Sequence, residues 1–433
     1  MFGKLKIALL SSALLAPVAY AVPVQSWTLD NGAKVMLVQS HQNPIVDIDI
    51  SFDAGTRRDV PNKIGVANFT AELLNTGSAD LNEEAFNQKT AQLAINLGSS
   101  SSLESADVQL RSLSKPEVLK PALSLMNLVL TKPRFDPNVL KREQDRSILG
   151  LKQSETDPGF LAARAISLLN YENHPYGYSA KQTEQTIRAI KQEDLVQFYQ
   201  QFYVTTNAVV SIVGDVDKEQ ANEIAVNLLK GLPKGEAKSV VAAVDVKGGQ
   251  DKRIAHPASQ AHVRLALPVL TRDDPDYYPL LVGNYILGGG GFDSRLMKVL
   301  RDQNGLTYGV GSSLAPYKQK GPLTIGFSTK KDQAQLALDL TKKTLAGFIE
   351  QGPTDEELKQ AKDNIIGGFP LRFDSNLKLL GYLSVMGQYD LPLTFLDDYP
   401  AKVEKLTKED IKKAWQKRIK AEELNVVIVG GSK

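Results

Sequence analysis

The sequence contains no cysteine and only four histidines in 433 residues. Without cysteine the chain can form neither a disulfide bond nor a lipid-modified N-terminal cysteine. The histidines are His41, His174, His256 and His262, and no two of them have the spacing of a metal-binding pair on one helix. No metal site is therefore predicted for this chain.

An excess of charge of one sign is also missing. The chain has 51 basic and 49 acidic residues, a formal net charge of +2, so that no basic surface for nucleic acid or for an anionic membrane is expected. The glycine run 288–291 lacks the Lys and Ser/Thr of a phosphate-binding loop, and a tight connection is the better interpretation. Composition leaves a Ser/His/Asp triad open, although no nucleophile-elbow motif supports one.

Long apolar runs are confined to the N-terminus. Two basic residues, Lys4 and Lys6, precede the apolar run 7–18, which is followed by Ala-Tyr-Ala. This order is typical of a secretory signal peptide, and no later run reaches the ~18 apolar residues that span a bilayer. The sequence therefore predicts a signal peptide at residues 1–21, cleavage after about Ala21, a periplasmic or secreted mature chain and no membrane anchor.

The chain is longer than one hydrophobic core supports, and it contains an internal duplication. The segment IKQEDL at 190–195 returns as LTKEDI at 406–411, an offset of 216 residues (406 minus 190). At the same offset the tripeptide IVG at 212–214 returns at 428–430. A capped helix followed by an apolar strand that ends in glycine therefore closes each half.

The two halves also begin alike. Alternating apolar residues predict strands at 47–52 and 262–267. Each strand leads through a polar turn into a helix, which lies around Asn68 in the first half and at 279–287 in the second. Strands that are adjacent in sequence, combined with long helices, predict an α+β fold in which each half is a mainly antiparallel sheet with helices packed on one face.

A segment without clear periodicity separates the halves. Residues 233–255 include Pro and several Gly, a composition that favours a linker. The predicted organisation is a first domain at 22–232, the linker, and a second domain at 256–433.

The helix around Asn68 carries the first candidate site. In GVANFTAELL, residues 65–74, Asn68 and Glu72 lie one turn apart on the polar face, with Ala71 between them. On this segment the chain resembles the pitrilysin and insulinase type of zinc peptidase, whose helix carries the inverted motif H-x-x-E-H after a Gly-x-Ala lead-in. The three functional positions of that motif read Asn68, Ala71 and Glu72 here.

In that family a later helix supplies the third zinc ligand, a Glu that follows another acidic position by seven residues. Here the acidic position is retained as Glu143, but the ligand position is Gly150. Zinc peptidases need about three protein ligands and an open position for the attacking water. The resemblance therefore implies that this chain does not hydrolyse peptides by zinc chemistry on its own.

The second half retains a catalytic pair that the family uses. Arg301 and Tyr308, seven residues apart, match an Arg and a Tyr that in the family face the zinc across a closed chamber and bind the substrate carbonyl oxygen. Aimed donors stabilise the oxyanion that forms there. The resemblance covers about residues 27–431 and implies two homologous halves that form a clamshell. Arg295 does not have the family spacing to Tyr308 and is predicted to be structural.

These features resemble the non-zinc-binding subunit of the mitochondrial processing peptidase type. The first hypothesis is a catalytically incomplete subunit of a heterodimeric periplasmic zinc metallopeptidase of the endopeptidase class. Its homologous partner would carry H-x-x-E-H and the zinc, while this chain would hold no cofactor and would supply Arg301 and Tyr308 for cleavage of a peptide substrate.

Two alternatives stay open. One is a non-enzymatic peptide-binding or scaffolding protein. In the family an extended peptide pairs with a strand edge that corresponds to residues 97–105 and the strand 106–111. The least favoured alternative is an independent hydrolase with a metal site rearranged onto Asn68, Glu72 and Glu143, because an amide and carboxylates suit hard cations rather than zinc.

Overall fold

The computed structural model describes residues 22–236 and 240–430. The predicted signal peptide, residues 1–21, lies outside the described residues. Among the residues that are described, no helix is long and apolar enough to cross a lipid bilayer.

The strands are β1 (Gln25–Thr28), β2 (Lys34–Gln39), β3 (Ile45–Phe52), β4 (Asn96–Ser101), β5 (Ala106–Leu113), β6 (Ala208–Gly214), β7 (Asp251–Ile254), β8 (Gln260–Leu270), β9 (Val310–Leu314), β10 (Gly321–Lys330) and β11 (Asn425–Val429). The helices are α1 (Val66–Leu73), α2 (Glu83–Leu93), α3 (Pro116–Thr131), α4 (Pro137–Ser154), α5 (Pro158–Tyr171), α6 (Glu184–Arg188), α7 (Gln192–Phe202), α8 (Lys218–Leu229), α9 (Tyr277–Asn284), α10 (Arg295–Met297), α11 (Ala334–Gln351), α12 (Asp355–Gly367), α13 (Asn376–Gln388), α14 (Phe395–Glu404) and α15 (Lys408–Arg418).

The strands form one sheet in each half. The strand order is β1-β2-β6-β3-β5-β4 in the first sheet and β7-β11-β8-β10-β9 in the second. Every neighbouring pair is antiparallel except β2 with β6 and β7 with β11. The predicted α+β class, with two homologous halves that are each mainly antiparallel, is confirmed.

The duplicated closing segments have the same local structure. The backbone N–H of Lys191 donates to the carboxylate of Asp194 at 2.8 Å, and 216 residues later the N–H of Thr407 donates to Asp410 at 2.9 Å. Each carboxylate satisfies a free donor at the start of a helix, α7 or α15. The apolar strand that follows, β6 or β11, is fully buried.

Two predicted segments have different boundaries in the structure. Residues 251–254 of the predicted linker form β7, an edge strand whose charged, exposed residues gave no strand pattern in the sequence. The predicted helix 279–287 ends earlier, at Asn284, and continues as a π-helical turn, Tyr285–Gly289. A Cβ atom at Gly288 would lie 2.6 Å from the hydroxyl of Ser312, so the glycine run allows a close approach to β9.

Each half covers the sheet of the other half. Helix α13 of the second half packs on β2, β3 and β6, while α5 of the first half packs on β8 and β11. The fit is close, because a Cβ atom at Gly387 of α13 would lie 2.3 Å from Cγ1 of Val209 in β6. Each half keeps a hydrophobic cluster of its own, and the cluster of the second half extends into the first through Met36 and Val209.

A buried carboxylate also links the halves. Glu104 is 5% exposed and accepts hydrogen bonds from the hydroxyls of Tyr176 and Tyr389, each at 2.5 Å. The backbone N–H of Lys318 donates to the same carboxylate at 3.1 Å. Since Tyr389 and Lys318 belong to the second half, this network fixes the halves relative to each other.

Candidate functional site

Helix α1 begins on a buried carboxylate. Asp59 accepts hydrogen bonds from the backbone N–H groups of Gly65 at 2.7 Å and Ala67 at 2.9 Å, two of the free donors at the helix start. Burial raises the pKa of Asp59 to about 6, against the effect of those two hydrogen bonds. Gly65, the glycine of the lead-in, adopts a left-handed conformation with a φ of +113°, which is allowed because glycine has no side chain.

The positions of the degenerate zinc motif lie on α1 and α4, which contact each other. On α1, Asn68 is exposed, Ala71 is buried and Glu72 is half-buried. On α4, Glu143 is only 4% exposed, whereas Gly150 is exposed and a Cβ atom there would meet nothing within 4 Å. The two helices thus bring the degenerate motif positions to one contact, with open space beside position 150.

An arginine joins the two carboxylates of this site. The guanidinium of Arg146 lies 2.5 Å from Glu72 and 2.6 Å from Glu143. Arg142 also contacts Glu143, at 2.8 Å, and pairs with Glu83. Burial, together with the charge of Glu143, raises the pKa of Glu72, and Arg146 opposes that rise. The positive charge beside these carboxylates is therefore supplied by arginine side chains of this chain.

The residues present do not fit a zinc ion. The side chains that meet here are an amide and two carboxylates, and both carboxylates of this set, Glu72 and Glu143, are engaged by Arg146. A catalytic zinc ion in a peptidase is typically bound by two imidazole nitrogens and one carboxylate. No group of three or more His, Cys, Asp or Glu side chains suited to a metal ion occurs in 22–236 or 240–430.

The segment that carries Arg301 is anchored by Arg295. The guanidinium of Arg295 forms two bonds of 2.6 Å to the carboxylate of Glu357 and one of 2.9 Å to the carbonyl oxygen of Gly352. It also stacks on the ring of Phe348 at 5.0 Å. These bonds are what the predicted structural role of Arg295 requires, and they fix the start of the helical turn that leads to Arg301.

Arg301 lies in a π-helical turn, Lys298–Gln303, and is half-buried. Its guanidinium carbon is 4.8 Å from the ring centroid of Phe292. Within the described ranges no carboxylate pairs with it. A guanidinium that is held by one ring and lacks an acidic partner is available to an external oxygen.

Tyr308 stands on the connection between that turn and β9, and it is 92% exposed. Over the described part of the chain, no hydrogen bond or ring contact joins it to Arg301. Phe292 is also exposed, by 71%. The structure thus presents an Arg and two aromatic side chains to solvent on one short stretch of the second half.

The strand edge next to α1 is β4 rather than the predicted strand 106–111. That strand is β5, an inner strand, and β4 pairs with it and ends the sheet. The hydroxyl of Ser99 in β4 donates to the backbone oxygen of Ala71. Beside this edge lies a cavity of about 380 Å³ lined by residues that include Gly98, Arg111 and Leu377.

Two family models and several solved structures match this chain. A family model described as insulinase (peptidase family M16) matches residues 34–184, and one described as the peptidase M16 inactive domain matches 189–365. The crystal structure of a peptidase M16 inactive domain from Pseudomonas fluorescens is 34% identical, with a TM-score of 0.91, and the alignment covers 95% of this chain and 98% of that one. The chain belongs to peptidase family M16.

Two other proteins are similar over most of this chain. A protein named non-peptidase homolog YmxG from Helicobacter pylori is 28% identical over 407 residues, with 93% of each chain covered. The crystal structure of the periplasmic protease PqqL from Escherichia coli shares the fold at 16% identity, with a TM-score of 0.79. This chain is covered completely by that alignment but spans only 48% of PqqL.

Two residues of these sites were not found from the sequence. Arg146 follows Glu143 by three positions on a helix, a spacing that favours an ion pair and could have indicated it. The contact of Phe292 with Arg301 joins a turn to a helical segment nine positions later, and no periodic pattern predicts such a pair.

Proposed function

We propose that this M16 chain is the catalytically incomplete subunit of a heterodimeric periplasmic zinc metallopeptidase. In this proposal a homologous partner carries H-x-x-E-H and binds the zinc, which activates the attacking water. This chain supplies Arg301 and Tyr308, whose donors bind the carbonyl oxygen of the scissile peptide bond as negative charge develops on it.

The guanidinium of Arg301, which has no acidic partner within the described ranges, is the observation that carries this proposal. Together with the phenol of Tyr308, which is close in sequence and 92% exposed, it offers hydrogen-bond donors to an external oxygen. The ion pairs of Arg146 favour a division of roles, because they engage both carboxylates of the degenerate motif and leave no set of zinc ligands there.

The firm contact between the two halves also favours a substrate chamber between two chains rather than within this one. The exchanged helices α5 and α13 and the hydrogen bonds of Glu104 hold the halves together through a buried core. A cleft that opens for a peptide is therefore expected between this chain and a second one. PqqL is a single chain of about twice this length, so its size corresponds to that of two chains of this kind.

Reconstitution with a partner tests the proposal. A homologue with intact H-x-x-E-H from the same genome is co-expressed with this chain, and the purified pair is assayed for zinc content and peptide cleavage. Arg301→Ala and Tyr308→Phe are expected to lower kcat by about 10²–10³-fold each while the pair still assembles. Arg253→Ala, an exposed arginine on β7, is the matched control and is expected to leave kcat unchanged.

Unchanged cleavage by the Arg301→Ala and Tyr308→Phe pairs would remove the catalytic role. That result would favour the second candidate, a peptide-binding or scaffolding protein. The edge of β4 supports this candidate, because most of its residues are small and none is charged or Pro, which leaves the backbone open to an added strand.

A further inference from the structure

Phe292 is an exposed aromatic residue on a constrained turn. It lies in the short helical turn Gly291–Asp293, and Gly291 has a φ of +67°. The next residue, Ser294, is 1% exposed, and its hydroxyl donates to the carbonyl oxygen of Gly291 at 2.7 Å. The turn is therefore fixed from inside the fold, although the ring that it presents is 71% exposed.

The ring of Phe292 contacts the guanidinium of Arg301, and within the described ranges no hydrogen bond or ion pair joins that guanidinium to another side chain. Stacking on a ring engages the flat face of a guanidinium and leaves the N–H groups at its rim free to donate. A carboxylate partner would instead occupy those N–H groups. The contact thus restricts the movement of Arg301 without using its donors.

We propose that Phe292 is the positioning residue for Arg301. Its ring holds the guanidinium in the orientation from which the N–H groups reach the carbonyl oxygen of a bound peptide. This inference rests on the proposed function. The benefit is preorganisation, since a donor that is already oriented loses less freedom when the charge on the oxygen develops.

The test uses the reconstituted pair of chains. Phe292→Leu keeps an apolar side chain but removes the ring face, and it is expected to lower kcat by roughly two- to fivefold or more with little change in KM. Phe292→Trp, which presents a larger ring face, is expected to retain the activity. Leu371→Ala is the matched control, because Leu371 is also exposed, by 65%, and lies outside this turn.

A double substitution distinguishes a positioning role of Phe292 from an effect of the substitution on folding. In the Arg301→Ala background, Phe292→Leu is expected to cause no further loss, because the ring then has no guanidinium to orient. Equal kcat for the Phe292→Leu and unmodified pairs, together with a large loss for Arg301→Ala, would overturn this inference and leave the proposed function intact. If Arg301→Ala has no effect, or if the pair is inactive, the proposed function and this inference both fail.

Discussion

The side chain of Arg146 places a positive charge between two carboxylates at the contact of α1 with α4. Its guanidinium lies between Glu72 of α1 and Glu143 of α4, and these two carboxylates would otherwise repel each other across a partly buried contact. A buried carboxylate that loses its partner retains the cost of leaving water. We therefore expect Arg146 to stabilise the packing of α1 against α4.

Replacing this arginine should give a pH-dependent loss of stability. Arg146→Met is expected to lower the free energy of unfolding by about 1–3 kcal/mol at pH 8, because Glu143 is buried and loses one of its two cations. The pKa of Glu72 is raised in the folded state, so the folded chain holds a proton that the unfolded chain releases. The free energy of unfolding therefore falls as pH rises from the ordinary pKa of a Glu toward the raised pKa of Glu72. Arg146→Met is expected to make this fall larger.

Urea unfolding at pH 5 and pH 8 measures this effect. Arg188→Met is the matched control, because Arg188 forms ion pairs with exposed carboxylates only. An identical loss for Arg146→Met at both pH values would show that Arg146 does not compensate the charge of the two glutamates.

At the scale of elements, the sequence predicted what periodicity and capping encode. The inner strands 47–52 and 262–267 and the helix around Asn68 are present, with slightly different ends. Strand β7 was missed, because the residues of an exposed edge strand need not alternate. The partners of Arg301 and Glu72 were also missed, since contacts between elements depend on tertiary packing that local patterns do not encode.

The two helices of the degenerate site should accept a zinc ion once its ligands are restored. Asn68→His and Glu72→His place imidazoles one turn apart on α1, and Gly150→Glu extends into open space from α4. The purified triple variant is expected to bind close to one zinc ion per chain, measured by elemental analysis after dialysis. The variant that retains Gly150 is expected to bind zinc more weakly, and equal binding by both would contradict the role of position 150.

On the scale of the whole molecule, polar residues line the contact between the halves. Asp49 of β3 is buried and Asp107 of β5 is half-buried on the side of the first sheet that α13 covers. Burial, and next the charge of Asp107, raises the pKa of Asp49 to about 8, while hydrogen bonds to Ser384 of α13 and to Gln109 oppose the rise. Burial also raises the pKa of Asp107.

The raised pKa values of Asp49 and Asp107 predict that the chain is less stable at mildly alkaline pH than at mildly acidic pH. The ordinary pKa of an Asp is 3.8, so between about pH 4 and pH 8 the folded state holds a proton on Asp49 that the unfolded state has released. The free energy of unfolding is therefore expected to fall as pH rises through that range. Asp49→Asn should reduce this slope and should be at least as stable as the unmodified chain at pH 8. Unfolding curves with an unchanged slope would rule out Asp49 as the source.

The exchange of α5 and α13 bears on how such a chain could arise. A solitary half would leave one face of its sheet bare, since the helix that covers that face is contributed by the other half. A single-module precursor would have needed a second copy of itself, with each lending a helix to its twin, as in a domain-swapped dimer. Fusion of two such genes then turns a symmetric association into a permanent covalent one. After fusion the copies are free to diverge, so that one can lose its chemistry while the other keeps its own.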